Sequence, residues 1–291
     1  MNAESKEKGQ TISLPDGRQL GYLIVGEGKP IFYFHGSPGS RLEVQNLDGI
    51  ARSKHLRIIG VDRSGFGLST FAVSQRISDF ASDICFLADH LEVKKFMVVG
   101  FSGGGPHAII CATLYPERVE RAIAISSPAS PINTLGMAFI NKVGWKLGTL
   151  PIIGEWIEKN YDRKPILEWN RNPDAFLKSN LGKSLLQEAG DKKRLLAHIQ
   201  AMAEGYRQGS DSVRAMIQET KFLKKGWDVD LSQIPDGLVS IWHGAIDKII
   251  PVVNAYKNAE AIPGAYLEIF KDAGHLFFLN NLEKLSEILS S

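Results

Sequence analysis

The sequence has little of several features that would restrict its class. It contains only two cysteines, Cys85 and Cys111, and no metal-ligand spacing between them, which favours reduced thiols. Its net charge of +2 provides neither a basic field for nucleic acid nor an acidic tail. No apolar run approaches the about 20 residues of a membrane-spanning helix, and the polar segment 1–10 lacks the apolar core of a signal peptide. We therefore expect a cytoplasmic protein with no membrane span and no nucleic-acid partner.

Short apolar runs separated by helical patterns occupy the first part of the chain. Each of four such runs predicts a strand that is buried on both faces: 31–34, 56–61, 96–99 and 121–126. Strands of this kind alternating with helices indicate an α/β protein, in which helices cover both faces of a parallel sheet. A hairpin is predicted before them, around the turn at 15–17.

This alternation stops after residue 131 and resumes near residue 235. The intervening part shows only helical patterns, and predicted helices there include 151–169 and 175–181. Strands return at 237–242 and 266–270. We divide the chain into a first core segment (1–130), a helical insertion (131–234) and a second core segment (235–291).

One stretch, residues 96–106, joins a strand to a helix through several glycines. Ser102 lies at the corner, with glycines at positions 100, 103 and 104. A turn this tight strains the serine backbone and leaves no room for side chains at the glycine positions. The G-x-S-x-G pattern in a strand–turn–helix context is typical of a nucleophilic serine.

A serine nucleophile needs a general base, and His275 is the strongest candidate among the seven histidines. It follows the last predicted strand in a Gly-His loop. His35 and His243 each precede a glycine at a strand end, where we expect them to shape loops by hydrogen bonding. His107 is too near the serine in sequence to reach back over it, and we expect it to pack or to join a polar network.

Asp247 is the predicted acid that orients the base. It lies in the loop after a strand, where a positioned carboxylate is useful, although it could instead cap the helix predicted from Val252. Asp272 is the nearest rival, but it is three residues from His275 and better suited to bracing that turn. The order Ser102, Asp247, His275 matches the nucleophile–acid–base order on a sheet of this kind.

Together these motifs resemble the α/β-hydrolase superfamily, in its serine-nucleophile branch. The resemblance rests on five ordered motifs: His35-Gly36-Ser37, Asp62-Arg63-Ser64-Gly65-Phe66-Gly67-Leu68-Ser69, the serine turn, the Asp247 loop and Gly274-His275. It covers roughly residues 11–130 and 235–291, and it implies a mostly parallel eight-stranded sheet with an inserted all-helical cap. It also implies an oxyanion hole made by the backbone N–H groups of Ser37 and Gly103. We expect Asp62 and Arg63 to brace the loop that supports this hole.

The function that we expect is serine hydrolysis of a small, largely apolar carboxylic ester or lactone, with catalytic residues Ser102, Asp247 and His275. No cofactor and no metal ion are expected, and the partner is a small-molecule substrate of a monomer or homodimer. Three alternatives use the same fold. A carbon–carbon bond hydrolase has a similar His-Gly-Ser loop, and a receptor would keep the three residues but turn over slowly. A proline iminopeptidase usually has Trp directly after the serine, where this chain has Gly103, and this difference argues against that alternative without excluding it.

Overall fold

The computed structural model of the protein describes residues 9–73, 75–150 and 152–290. Most of the polar segment 1–10, for which no signal peptide is predicted, lies outside the described residues, as does Pro151, the predicted start of a helix. The eight strands are β1 (Gln10–Ser13), β2 (Gln19–Val25), β3 (Lys29–Phe34), β4 (Leu56–Val61), β5 (Phe96–Phe101), β6 (Val119–Ile125), β7 (Val239–Gly244) and β8 (Tyr266–Phe270).

All eight strands form one sheet in the order β1-β2-β4-β3-β5-β6-β7-β8. The predicted hairpin is β1 with β2, and β2 also pairs antiparallel with β4. The pairings from β4 through β3, β5, β6 and β7 to β8 are all parallel. The prediction of a mostly parallel, eight-stranded α/β sheet is confirmed.

The described residues also form α-helices between and after these strands. They are α1 (Asp48–Ser53), α2 (Asp79–His90), α3 (Gly105–Leu114), α4 (Phe139–Leu147), α5 (Ile153–Ile157), α6 (Lys164–Arg171), α7 (Pro173–Lys178), α8 (Asn180–Ala189), α9 (Lys192–Gly205), α10 (Ser210–Lys225), α11 (Val253–Ala261) and α12 (Leu282–Ser290). None of the described helices is long and apolar enough to cross a bilayer.

Successive residues of each central strand enter different apolar cores. In β3, Phe32 and Phe34 pack in one core with helices α2 and α3, whereas Ile31 and Tyr33 pack in the other with α9 and α12. This alternation follows from the two-residue side-chain period of a strand. Both faces of the sheet are therefore buried, as the continuous apolar runs predicted.

Between β6 and β7 the described residues form helices and turns but no strand. The helix predicted over 151–169 is α5 and α6 joined by a π-helical turn at Glu158–Arg163. The helix predicted over 175–181 is wrong, because α7 ends at Lys178 and α8 starts at Asn180. Ser179 has an extended ψ of 159° and its side chain caps α8, which interrupts the helix.

Helix α9 fastens this helical segment to the sheet, next to the 3₁₀ turn at Arg41–Leu47 that follows β3. The Ser40 hydroxyl donates to the Ala201 carbonyl at 2.8 Å, and the Arg41 guanidinium pairs with Glu204 at 3.0 Å. The helical segment is thereby held close to the carboxyl ends of the parallel strands.

Candidate active site

Ser102 lies in a crowded, left-handed turn between β5 and α3. Its φ is +50°, a conformation that L-residues rarely adopt. A Cβ on Gly100 would overlap the carbonyl oxygen of Gly104, and a Cβ on Gly104 would overlap that of Phe34. The sequence prediction that this turn excludes side chains at the glycine positions is confirmed.

Ser102, His275 and Asp247 form a continuous hydrogen-bonded chain. His275 Nε2 lies 3.0 Å from Ser102 Oγ, and His275 Nδ1 lies 2.7 Å from Asp247 Oδ2. All three residues are buried, and each follows a different strand, β5, β8 and β7 in that order. The geometry suits proton transfer from the serine to the imidazole, with the carboxylate holding the ring.

Asp247 also holds its own loop through its second oxygen. Oδ1 accepts hydrogen bonds from the N–H groups of Ile249 and Ile250, at 2.8 and 2.9 Å. The residue that precedes α11 is Val252, which makes no side-chain cap, so Asp247 is not the N-cap of that helix. Burial raises the pKa of Asp247, but the attraction and hydrogen bond of His275 outweigh burial, and the net shift is downward. The group is therefore a carboxylate near neutral pH.

Three other histidines have structural partners. His243 Nε2 donates to the Ile250 carbonyl and His35 Nδ1 to that of Gly36, each at 2.7 Å. His107 packs against the Phe80 ring, with centroids 5.0 Å apart. The expected structural roles for these histidines agree with their observed contacts.

Arg63 holds the loop that carries Ser37 through several hydrogen bonds. The guanidinium donates to the carbonyls of His35 and Gly36 and, at 2.7 Å, to the Ser37 hydroxyl. On the other side the Gly36 N–H donates to the buried carboxyl of Glu43, whose pKa burial raises to about 7. These contacts agree with the bracing role predicted for Arg63.

The neighbouring Asp62 braces the start of the same region. Its carboxylate accepts from the backbone N–H groups of Arg41 and Leu68, at 2.6 and 2.8 Å. It also pairs with the Arg41 guanidinium at 2.9 Å. Asp62 thus ties the turn after β3 to the turn after β4, which supports the bracing role predicted for it.

Ser37 and Gly103 border the same cavity as Ser102. The Ser37 side chain occupies the space that a side chain at position 103 would need. A Cβ on Gly103 would overlap Ser37 Oγ and lie 2.9 Å from Ser37 Cβ. Glycine at 103 therefore allows the Ser37 loop to approach the serine turn.

Replacing Gly103 with alanine should displace the Ser37 loop. If that loop carries the predicted oxyanion donor, kcat on an activated ester should fall by about 100-fold or more, since one lost donor typically removes 10²–10³. The double variant Gly103→Ala/Ser37→Gly makes room for the new methyl group but also loses the hydroxyl that Arg63 holds, so its kcat should exceed that of Gly103→Ala and remain below the wild-type value. Gly49→Ala is the control, because a Cβ there meets no neighbouring atom. A Gly103→Ala variant with wild-type kcat would contradict the close packing of the two loops.

The cavity above Ser102 has a volume of about 530 Å³ and a largely apolar wall. Phe101, which precedes Ser102, packs against the rings of His275 and Phe278, at centroid distances of 5.2 and 4.3 Å. Apolar and aromatic lining residues are Ile140, Val143, Trp145, Leu147, Trp156, Ile157, Tyr161, Met216, Ile217, Leu223, Ile249 and Ile250.

Three carboxyl groups that no sequence motif indicates also line the cavity. They are Glu158 and Asp162 from the π-helical turn, and Glu219 from α10. Burial raises the pKa of both Glu158 and Asp162, and their mutual repulsion adds to the shift of Glu158. No lysine, arginine or histidine is among the described residues lining this cavity. Within the described ranges, no three His, Cys, Asp or Glu side chains are arranged to hold a metal ion.

Comparison with known proteins gives consistent matches. A family model for the α/β-hydrolase fold matches residues 29–151. The chain is 25% identical to a 2-hydroxymuconate semialdehyde hydrolase of Pseudomonas putida, over all of this chain and 96% of that protein. It is 25% identical to a probable proline iminopeptidase of Leptolyngbya boryana, over 85% of this chain and 81% of that protein. An esterase structure from Exiguobacterium antarcticum superposes with a TM-score of 0.66 at 22% identity, covering 97% of each chain.

Proposed function

Because the chain belongs to the α/β-hydrolase superfamily, we propose that it is a serine hydrolase that cleaves small, largely apolar carboxylic esters or lactones. The observation that carries this proposal is the Ser102–His275–Asp247 chain of hydrogen bonds beside an apolar cavity. We also assign residues 131–234 as a cap that shapes this cavity, above a core formed by 1–130 and 235–291.

In the proposed reaction, Ser102 Oγ attacks the acyl carbon while its proton passes to His275 Nε2. Asp247 holds the ring by its Nδ1–H and stabilises the imidazolium that forms. The carbonyl oxygen becomes an oxyanion that accepts hydrogen bonds from the N–H groups of Ser37 and Gly103. The intermediate collapses when His275 returns the proton to the leaving alkoxide, which leaves an ester on Ser102. Water then repeats the sequence, giving the carboxylic acid and the free serine.

The charges around the cavity indicate which acyl groups fit. A substrate carboxylate would meet carboxyl groups and no basic side chain among the described lining residues. Leaving a charge unpaired in such a site typically costs several kcal/mol, which corresponds to at least about 100-fold in rate or affinity. Neutral substrates avoid this cost. The P. putida relative acts, by its name, on 2-hydroxymuconate semialdehyde, and a carboxylate of that kind would be disfavoured here.

The same carboxyl groups favour a second candidate, an aminopeptidase like the L. boryana relative. A substrate ammonium group could pair with Glu158 and Asp162, which lie in the cavity wall and whose raised pKa values would fall beside a cation. An amide has a poorer leaving group than an ester, so this candidate demands more of His275 as a general acid.

Three substrates separate these candidates: p-nitrophenyl hexanoate, mono-p-nitrophenyl adipate of equal acyl length, and proline p-nitroanilide. We expect kcat/KM for the hexanoate to exceed that for the adipate by at least about 100-fold, for the reason given above. Comparable or faster adipate hydrolysis would contradict the proposed charge selectivity. Faster turnover of the anilide than of the hexanoate would establish the second candidate. Binding of these compounds with no turnover would indicate a receptor and contradict both.

A further inference from the structure

A carboxylate from the helical segment reaches the loop that carries one of the proposed oxyanion donors. Glu219, in the middle of α10, borders the cavity beside Ser37. The Ser37 hydroxyl donates to Glu219 Oε2 at 2.5 Å. These two residues are 182 positions apart in the chain, so the contact joins the helical segment to the sheet core at the site itself.

Arg63 completes a triangle with these two residues. Its Nε and Nη2 donate to the two oxygens of Glu219 at 2.6 and 3.0 Å, while Nη2 also donates to Ser37 Oγ. His107 Nε2 is 3.9 Å from Glu219, but burial, with the nearby Arg63 charge, holds the pKa of His107 well below its usual range. The imidazole is therefore neutral, and Arg63 is the cation that balances Glu219.

The charges of this triangle are largely removed from water. The Arg63 and Glu219 side chains are 2% and 13% exposed, respectively. Charge-assisted hydrogen bonds in such a setting are short and directional. The guanidinium also holds the carbonyls of His35 and Gly36, so Glu219 fixes the orientation of the group on which this loop rests.

We propose that Glu219 is a positioning residue that, through Arg63 and the Ser37 hydroxyl, places the Ser37 N–H for the transition state. This inference rests on the proposed serine-hydrolase function. Oxyanion donors act by being fixed in advance at 2.7–3.1 Å from the position that the oxyanion will occupy. A displaced donor weakens transition-state binding more than ground-state binding, so the loss falls on kcat rather than on KM.

Two simpler roles for Glu219 give different results. If Glu219 only stabilises the fold, its loss lowers the melting temperature and leaves kcat of the folded enzyme unchanged. If Glu219 binds substrate directly, its loss changes KM, and the hydroxyl of Ser37 plays no part in the effect.

The test uses Ser37→Ala, Glu219→Gln and the double variant of the full chain, with Glu155→Gln as the control. Glu155 is an exposed carboxylate of α5 that pairs with Lys159 and is not among the described residues lining the cavity. The measurements are kcat and KM for p-nitrophenyl hexanoate, the inhibition constant of a phenylboronic acid that mimics the tetrahedral anion, and the melting temperature.

We expect each single substitution to lower kcat about 10- to 100-fold, less than or equal to the loss of a whole donor, with KM within about threefold. Boronate binding should weaken in parallel. The double variant should be within about threefold of the worse single variant, because both substitutions break the same contact. Multiplied effects, a change in KM alone, or unchanged kcat in Ser37→Ala would overturn the proposal. Ser37→Ala leaves the buried Arg63–Glu219 pair intact, so its result does not depend on whether Glu219→Gln folds.

Labelling with a fluorophosphonate separates this inference from the proposed function. If the wild-type protein neither hydrolyses the ester nor becomes labelled on Ser102, the proposed function fails and the positioning role with it. If the wild type is active and labelled while the Glu219 and Ser37 variants behave like Glu155→Gln, only the positioning role is overturned.

Discussion

Replacing Ser102 with alanine should lower kcat for any ester that the wild type hydrolyses by at least about 10⁴-fold, because the nucleophile of a triad works only as part of the unit. The substitution removes one oxygen from a buried turn and leaves the His275–Asp247 pair intact. Turnover should be measured on p-nitrophenyl hexanoate, with mass spectrometry to check that no acyl group remains on the variant. Equal rates in wild type and variant would show that the ester is cleaved elsewhere.

A second, independent prediction for Ser102 concerns the stability of the protein. Because Ser102 has a φ of +50°, any L-residue there is strained, whereas glycine is not. Ser102→Gly should be as inactive as Ser102→Ala but more stable by about 1 kcal/mol in urea denaturation. A glycine variant less stable than the alanine variant would indicate that the turn carries no strain.

Replacing Asp247 with asparagine should lower kcat about 10⁴-fold with little change in the loop. The asparagine carbonyl can keep the hydrogen bonds from Ile249 and Ile250, which turns the amide NH₂ toward His275. The imidazole must then accept at Nδ1 and carry its proton on Nε2, which is the wrong tautomer for taking the serine proton.

The rival carboxylate gives the matched control for this experiment. Asp272 is exposed and three residues from His275, and Asp272→Asn should leave kcat within about twofold, as expected for an exposed surface position. Steady-state kinetics of both variants on the same ester measure the difference. If Asp247→Asn stays within a few-fold of wild type, Asp247 only shapes its loop and the proposed triad is wrong.

The sheet was predictable because its signals are local. The predicted strands at 56–61 and 266–270 coincide with β4 and β8, because short runs rich in β-branched and aromatic residues favour strands. The helical segment was less predictable than the sheet. The low helix propensity of glycine weakens the predicted helix at Gly182, but α8 continues through this residue, and the missing Cβ leaves room for the carbonyl of Phe176 in the preceding helix.

In the candidate site, too, some residues could be predicted from the sequence and others could not. Ser102, Asp247 and His275 could be proposed from sequence because each follows a strand, and the carboxyl ends of parallel strands meet at one edge. Glu219 could not, because it is one polar residue in an amphipathic helix and resembles any solvated position. Its partner Arg63 is 156 residues earlier, and no local pattern reports that pairing. The π-helical turn that brings Glu158 and Asp162 to the cavity likewise depends on packing rather than on a sequence signal.

The chain order of the three proposed catalytic residues has a consequence during translation. The N-terminal part of a chain leaves the ribosome first, and β3, β4, β5 and β6 all precede the helical segment. A nascent chain therefore carries Ser102 long before the imidazole 173 residues later has been synthesised. Without that base the hydroxyl is an ordinary alcohol. A nascent chain that still lacks His275 should therefore not be acylated on Ser102 by a substrate ester.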